Sequence, residues 1–153
     1  MDHEVQRKLS GSLTLIRIIF GAFLFGMISF LTAMSIIIPF ASQLSPINEL
    51  FQLIAPIILV TMVSASIFLR KAMLAKVHNE TNPLKLIKSY TNTRIVQMAL
   101  VDASVLFAIV CFVLTTNAFY IMLSGIGILY FTSLFPLQKK VIQQLKLDNP
   151  IGN

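Results

Sequence analysis

A chain of 153 residues in which 56% are hydrophobic and only 12% charged, with a mean hydropathy of +0.83, lies outside the composition of a soluble domain, where about 25% of residues are charged. Its formal net charge of +6 calls for no nucleic acid, because basic residues beside a bilayer meet anionic headgroups, and that bilayer is the expected partner. The lone cysteine, Cys111, excludes an internal disulfide.

The apolar residues gather into four runs, each near the ~20 residues that cross a ~30 Å hydrocarbon layer. A short segment, 1–12, carries Arg7 and Lys8 and leads into a first span from Leu13 to Ile38. That run exceeds the about 7 to 15 apolar residues of a signal peptide, and "PFASQ" is a poor cleavage site, so the span is expected to be retained. Pro39 and Pro46 close it and its loop. Within it Ala22, Gly26, Ser29 and Ala33 fall within about 60° of one another on a helix, a small-residue stripe of the kind that lets membrane helices approach closely. The stripe is therefore expected to line a helix contact, with Gly26→Leu more disruptive than Leu24→Ala. Arg17, near the start of the span, either reaches headgroups along its own stem or extends toward an acid on a neighbouring helix.

A second span runs from Phe51 to Leu69, with Pro56 close enough to its start to be tolerated. The basic stretch 70–94 is expected to be a loop containing one surface-lying helix that leads into the third span, capped by Asn82 with Pro83 at the first helical position and an apolar stripe of Leu84, Ile87 and Tyr90. The third span covers Ile95 to Thr115. One of its faces is small or polar, formed by Gln97, Ser104, Ala108, Cys111 and Thr115. Only "TNA" separates it from the fourth span, Phe119 to Phe135, so these two should form a tight antiparallel hairpin. Beyond Pro136 the tail, 136–153, becomes amphipathic, with Leu137, Val141 and Leu145 on one face and Lys139, Lys140 and Lys146 available to headgroups.

All twelve Lys and Arg residues fall in the N-terminal part, the stretch between spans two and three, or the tail. The positive-inside rule then places both termini in the cytoplasm. The expected fold is all-α: a multi-pass protein of the inner (plasma) membrane with a transmembrane domain at 13–135, its four transmembrane helices forming an antiparallel bundle with N and C termini inside.

Asp102 interrupts the third span. An acid at that depth is disfavoured by ~2.5 to 3.5 kcal/mol even on lenient scales, which makes it a functional candidate. It lies about 140° around the helix from Gln97, on the side of Ile95, Met98, Leu106 and Ile109. Its own helix gives it no polar neighbour, so it must find a partner on another helix, stay neutral, or face another subunit. The stretch "MALVDASVLFAIVCFVL" resembles the carboxylate-bearing helix of the proteolipid c-subunits of rotary ATP synthases. The resemblance implies that Asp102 matches the proton- or sodium-binding acid and Ala103 the small residue after it. The preceding span, "LIAPIILVTMVSASIFL", lacks the glycines of a c-subunit's partner helix, and two further spans flank the hairpin. The overall layout also resembles a group of uncharacterised small bacterial four-span membrane proteins.

His3 and His78 are isolated, no two acids share a span, and no metal-ligand spacing appears. No enzyme, cofactor or metal site is expected. The leading expectation is a non-enzymatic assembly or scaffold subunit with a buried intramembrane carboxyl, working in a homo-oligomer or membrane complex. The alternative is a proton- or cation-coupled transporter or proteolipid-like subunit that uses Asp102, with Arg17 as its candidate charge partner.

Overall fold

The computed structural model describes residues 3–38, 46–77 and 82–136; the expected amphipathic tail lies outside them apart from Pro136. Four helices follow one another: α1 (His3–Ile37), α2 (Pro46–Val77), α3 (Pro83–Thr115) and α4 (Phe119–Ser133). Three are long and apolar enough to cross a membrane, over Val5–Ile37, Asn48–Met73 and Leu84–Thr115. At 15 residues α4 is apolar but shorter, about 23 Å. Large apolar side chains cover the outside: Phe25, Phe68, Met122 and Leu129 each expose over two thirds of their surface. A water-soluble surface rarely carries so many. Length, composition and this coat together are those of an integral membrane protein.

The helices overrun the expected spans. With 35, 32 and 33 residues, α1, α2 and α3 are about 50 Å long, roughly 20 Å more than the hydrocarbon layer. α1 begins at His3, within the segment before the first span, and most of the expected 70–94 loop is helix, belonging to α2 up to Val77 and to α3 from Pro83. The start of α3 is as expected: Asn82 Oδ1 accepts from the Leu84 N–H at 3.0 Å, and Pro83 takes the first turn. It does not lie on the surface, however. No Gly or Pro interrupts the chain between Leu84 and Thr115, and Leu86, Ile87 and Tyr90 are buried in one cluster with Val5, Leu9 and Leu13 of α1 and Met73 of α2. The apolar stripe meets other helices rather than headgroups.

α3 packs against all three of the other helices. One core cluster joins α1 and α3 to the end of α4, where Phe20 stacks on Phe131 with ring centroids 4.9 Å apart and meets Phe135 edge-on at 5.3 Å. A second joins Ala55 and Leu59 of α2, Ala108, Cys111 and Phe112 of α3, and Tyr120 and Leu123 of α4. Between α3 and α4 the three-residue turn is held by Thr116, whose backbone is left-handed (φ 56°) and whose N–H donates to the Phe112 carbonyl at 2.7 Å. Asn48 fastens this turn to the start of α2: Asn117 Nδ2 donates to its Oδ1 at 3.2 Å, and the Tyr120 hydroxyl donates to its carbonyl at 3.2 Å. Asn48→Ala should therefore lower stability by about 1 kcal/mol, since it removes the Oδ1 that accepts from the Asn117 amide while the backbone carbonyl still accepts from the Tyr120 hydroxyl. Unfolding titrations in mixed micelles would register the loss, and an unchanged midpoint would show that the clasp is dispensable.

Candidate functional site

Asp102 sits where the buried face of α3 meets its outer face. Met98, Val105 and Ile109 on one side of it are buried, whereas Ala99 and Ala103 are exposed, and Asp102 itself is half-buried. It makes no hydrogen bond or ion pair with any described residue. The buried carboxyl expected from the sequence is thus only half covered within this chain. Arg17 is exposed on α1 and likewise makes no ion pair with a described residue, so the two charges are not joined.

The small-residue stripe of α1 does not line the contacts that α1 makes within this chain. Ala22, Gly26, Ser29 and Ala33 are all exposed, and a Cβ added at Gly26 would meet nothing within 4 Å. α1 packs inward through Ile16, Phe20 and Met27, with Phe23, Leu24, Leu31 and Met34 around them. Large side chains make that contact. Within the chain, close approach occurs at α4 instead: a Cβ at Gly127 would lie 2.5 Å from Val105 Cγ2 and 3.4 Å from Leu59 Cδ1.

The small and polar stripe of α3 is turned into the bundle. Gln97, Ser104, Ala108, Cys111 and Thr115 are all buried. The Ser104 and Thr115 hydroxyls donate back to the Val101 and Cys111 carbonyls of their own helix, each at 2.7 Å. Gln97 is the exception, because it reaches across to α2.

Gln97 belongs to a buried network centred on Arg94, which composition and charge patterning assign only to the basic edge of the third span. Arg94 is 8% exposed. Its Nε donates to the Tyr90 hydroxyl at 3.0 Å and its Nη1 to Gln97 Oε1 at 3.2 Å, while its guanidinium carbon lies 5.3 Å from the Tyr90 ring centroid. Gln97 Nε2 donates to the Ser66 carbonyl of α2. The Ser66 hydroxyl in turn shares a hydrogen bond of 3.1 Å with the Tyr130 hydroxyl of α4. Three helices are thereby tied together by five side chains. Their sequence signal is the spacing of Tyr90, Arg94 and Gln97, which at i, i+4 and i+7 fall on one helix face.

Chemically the network is a cation held by two acceptors, the Tyr90 hydroxyl oxygen and Gln97 Oε1. The acceptors that Arg94 meets are neutral, and no described residue gives it an anion. Among the described residues no group of three His, Cys, Asp or Glu side chains converges to hold a metal. Comparison of the chain with family profiles, with curated proteins and with solved structures gives no match in any of the three.

Proposed function

We propose that the chain is a non-enzymatic assembly or scaffold subunit of the inner (plasma) membrane, in which Asp102 is the polar contact offered to a second subunit. The carrying observation is that Asp102 lies half-buried in the third apolar helix with no partner among the described residues. Left against acyl chains a carboxyl is disfavoured, and a neighbouring membrane helix supplies the missing hydrogen bond. The outward Ala22, Gly26, Ser29 and Ala33 stripe is a surface on which a further helix can lie close.

An antiparallel arrangement of the four helices, with both ends inside, is part of this reading. Asn48 near the start of α2 meets Asn117 and Tyr120, and Ser66 further along it meets Gln97 and Tyr130. This supports α2 and α4 running together and α3 running against them. The segregated basic residues support the orientation.

The test compares Asp102→Asn with Asp102→Leu by cross-linking in native membranes. Asn keeps the hydrogen bond without titrating, so it should leave the assembled fraction nearly unchanged. Leu should weaken assembly roughly 3- to 30-fold, the equivalent of one interhelical hydrogen bond of ~0.6 to 2 kcal/mol. Undiminished assembly in Asp102→Leu would reject the proposal. If both variants assemble normally but lose proton- or sodium-dependent flux in vesicles, Asp102 carries an ion, as a transporter or proteolipid-like subunit requires.

A further inference from the structure

Arg94 presents a second unsatisfied group, independent of Asp102 and of opposite charge. A buried guanidinium without an anion is strongly destabilising, and neutral acceptors offset only part of its desolvation. The Tyr90 hydroxyl and Gln97 Oε1 occupy Nε and Nη1, while Nη2 and the remaining Nη1 proton have no acceptor among the described residues. Tyr90 and Gln97 also fix the plane of the fork, which leaves it organised for a bidentate anion.

Position decides which anion. Arg94 precedes Thr115, the last residue of α3, by 21 residues in the sequence, or about 32 Å of helix, close to one hydrocarbon thickness. The guanidinium therefore stands at the level of lipid phosphates. α4 stops at Ser133, three residues after Tyr130, whereas α2 and α3 project further, so the network lies where the bundle leaves the membrane. The projecting part exposes Arg7, Lys8, Arg70, Lys71, Lys85 and Lys88, a positive field that concentrates anionic lipid around it. The acids with described side chains, Glu49 and Asp102, lie at the opposite end of α2 and midway along the third span.

We propose that Arg94, oriented by Tyr90 and Gln97, binds the phosphate of a phospholipid headgroup as a specific site on this protein. The full chain, purified in mild detergent, is titrated with phosphatidylglycerol, with diacylglycerol of the same acyl chains, and with inorganic phosphate, and bound species are counted by native mass spectrometry. Wild type should retain about one phosphatidylglycerol per chain at least about tenfold more tightly than diacylglycerol, because only the former brings an anion to the fork. Inorganic phosphate should not displace it. Arg94→Gln should remove the preference and Arg94→Lys only reduce it, since an ammonium keeps the charge but not the fork. Arg17→Gln, which removes an exposed charge, should keep it, and so should Asp102→Leu, which separates this site from the assembly role of Asp102. Equal retention of phosphatidylglycerol and diacylglycerol by wild type would overturn the proposal without recourse to any variant. Displacement by inorganic phosphate, or an unchanged preference in Arg94→Gln, would overturn it as well.

Discussion

Gly127→Leu is expected to be the most damaging single change in the bundle, lowering stability by about 3 kcal/mol through overpacking. Even the Cβ of an alanine there would fall 2.5 Å from Val105 Cγ2. Val105 cannot easily turn away, because a β-branched side chain in a helix is confined to essentially one rotamer and this one is fully buried. Relief would have to come from moving α4 off α3, which also loosens Leu59 of α2, 3.4 Å from the same point. Gly127→Ala should lie between, at about 1 to 2 kcal/mol. The contrast is Gly26→Leu, which meets only open space and should leave the stability of the isolated chain within about 0.5 kcal/mol of wild type. Leu24→Ala should cost the isolated chain more than Gly26→Leu does, the reverse of the order expected from the stripe alone, because Leu24 packs on the core. Unfolding in mixed micelles, read by helical circular dichroism, would rank the four. Equal midpoints for Gly127→Leu and Gly26→Leu would mean that α4 is not seated on Val105.

The second large effect is at Gln97. Gln97→Leu removes the acceptor of a buried cation and the donor to the Ser66 carbonyl together. A loss of about 2 to 3 kcal/mol is expected, toward the upper range for hydrogen bonds to charged groups, because the guanidinium stays buried. Gln97→Glu is the informative companion. It gives Arg94 a carboxylate while forfeiting the donor to α2, so it should be less harmful than Leu if the cation dominates, and no better if the bridge to Ser66 dominates. Measured in the same micelles, wild-type stability in Gln97→Leu would mean that the network contributes nothing to holding the helices together.

Class and helix content were legible in the sequence, as was the first turn of α3, because hydropathy summed over a window and a capping asparagine before a proline are local properties. The three-residue turn between the last two helices was legible for the same reason. The projecting parts of α1 and α2 were not legible, because basic residues there suggest a loop and apolar positions such as Val5 and Leu9 are too few to mark a helix; that of α3 was legible as a helix, but not its burial against α1 and α2.

Facing was decided only by the tertiary structure. In water an apolar stripe points inward, but lipid is as apolar as leucine, so the outside of a membrane helix resembles its inside and periodicity loses its meaning. Gly26 stands in a stripe expected to line a helix contact, yet it faces open space, whereas Gly127, outside any such stripe, faces Val105. Asp102 and Arg94 show the same division. The sequence by itself determined that a carboxyl and a guanidinium lie along one helix about 12 Å apart. Only the packing of the other helices against α3 left the first half-exposed and without a partner among the described residues and enclosed the second among Tyr90, Gln97 and their neighbours, since direction around a helix depends on which neighbours it acquires.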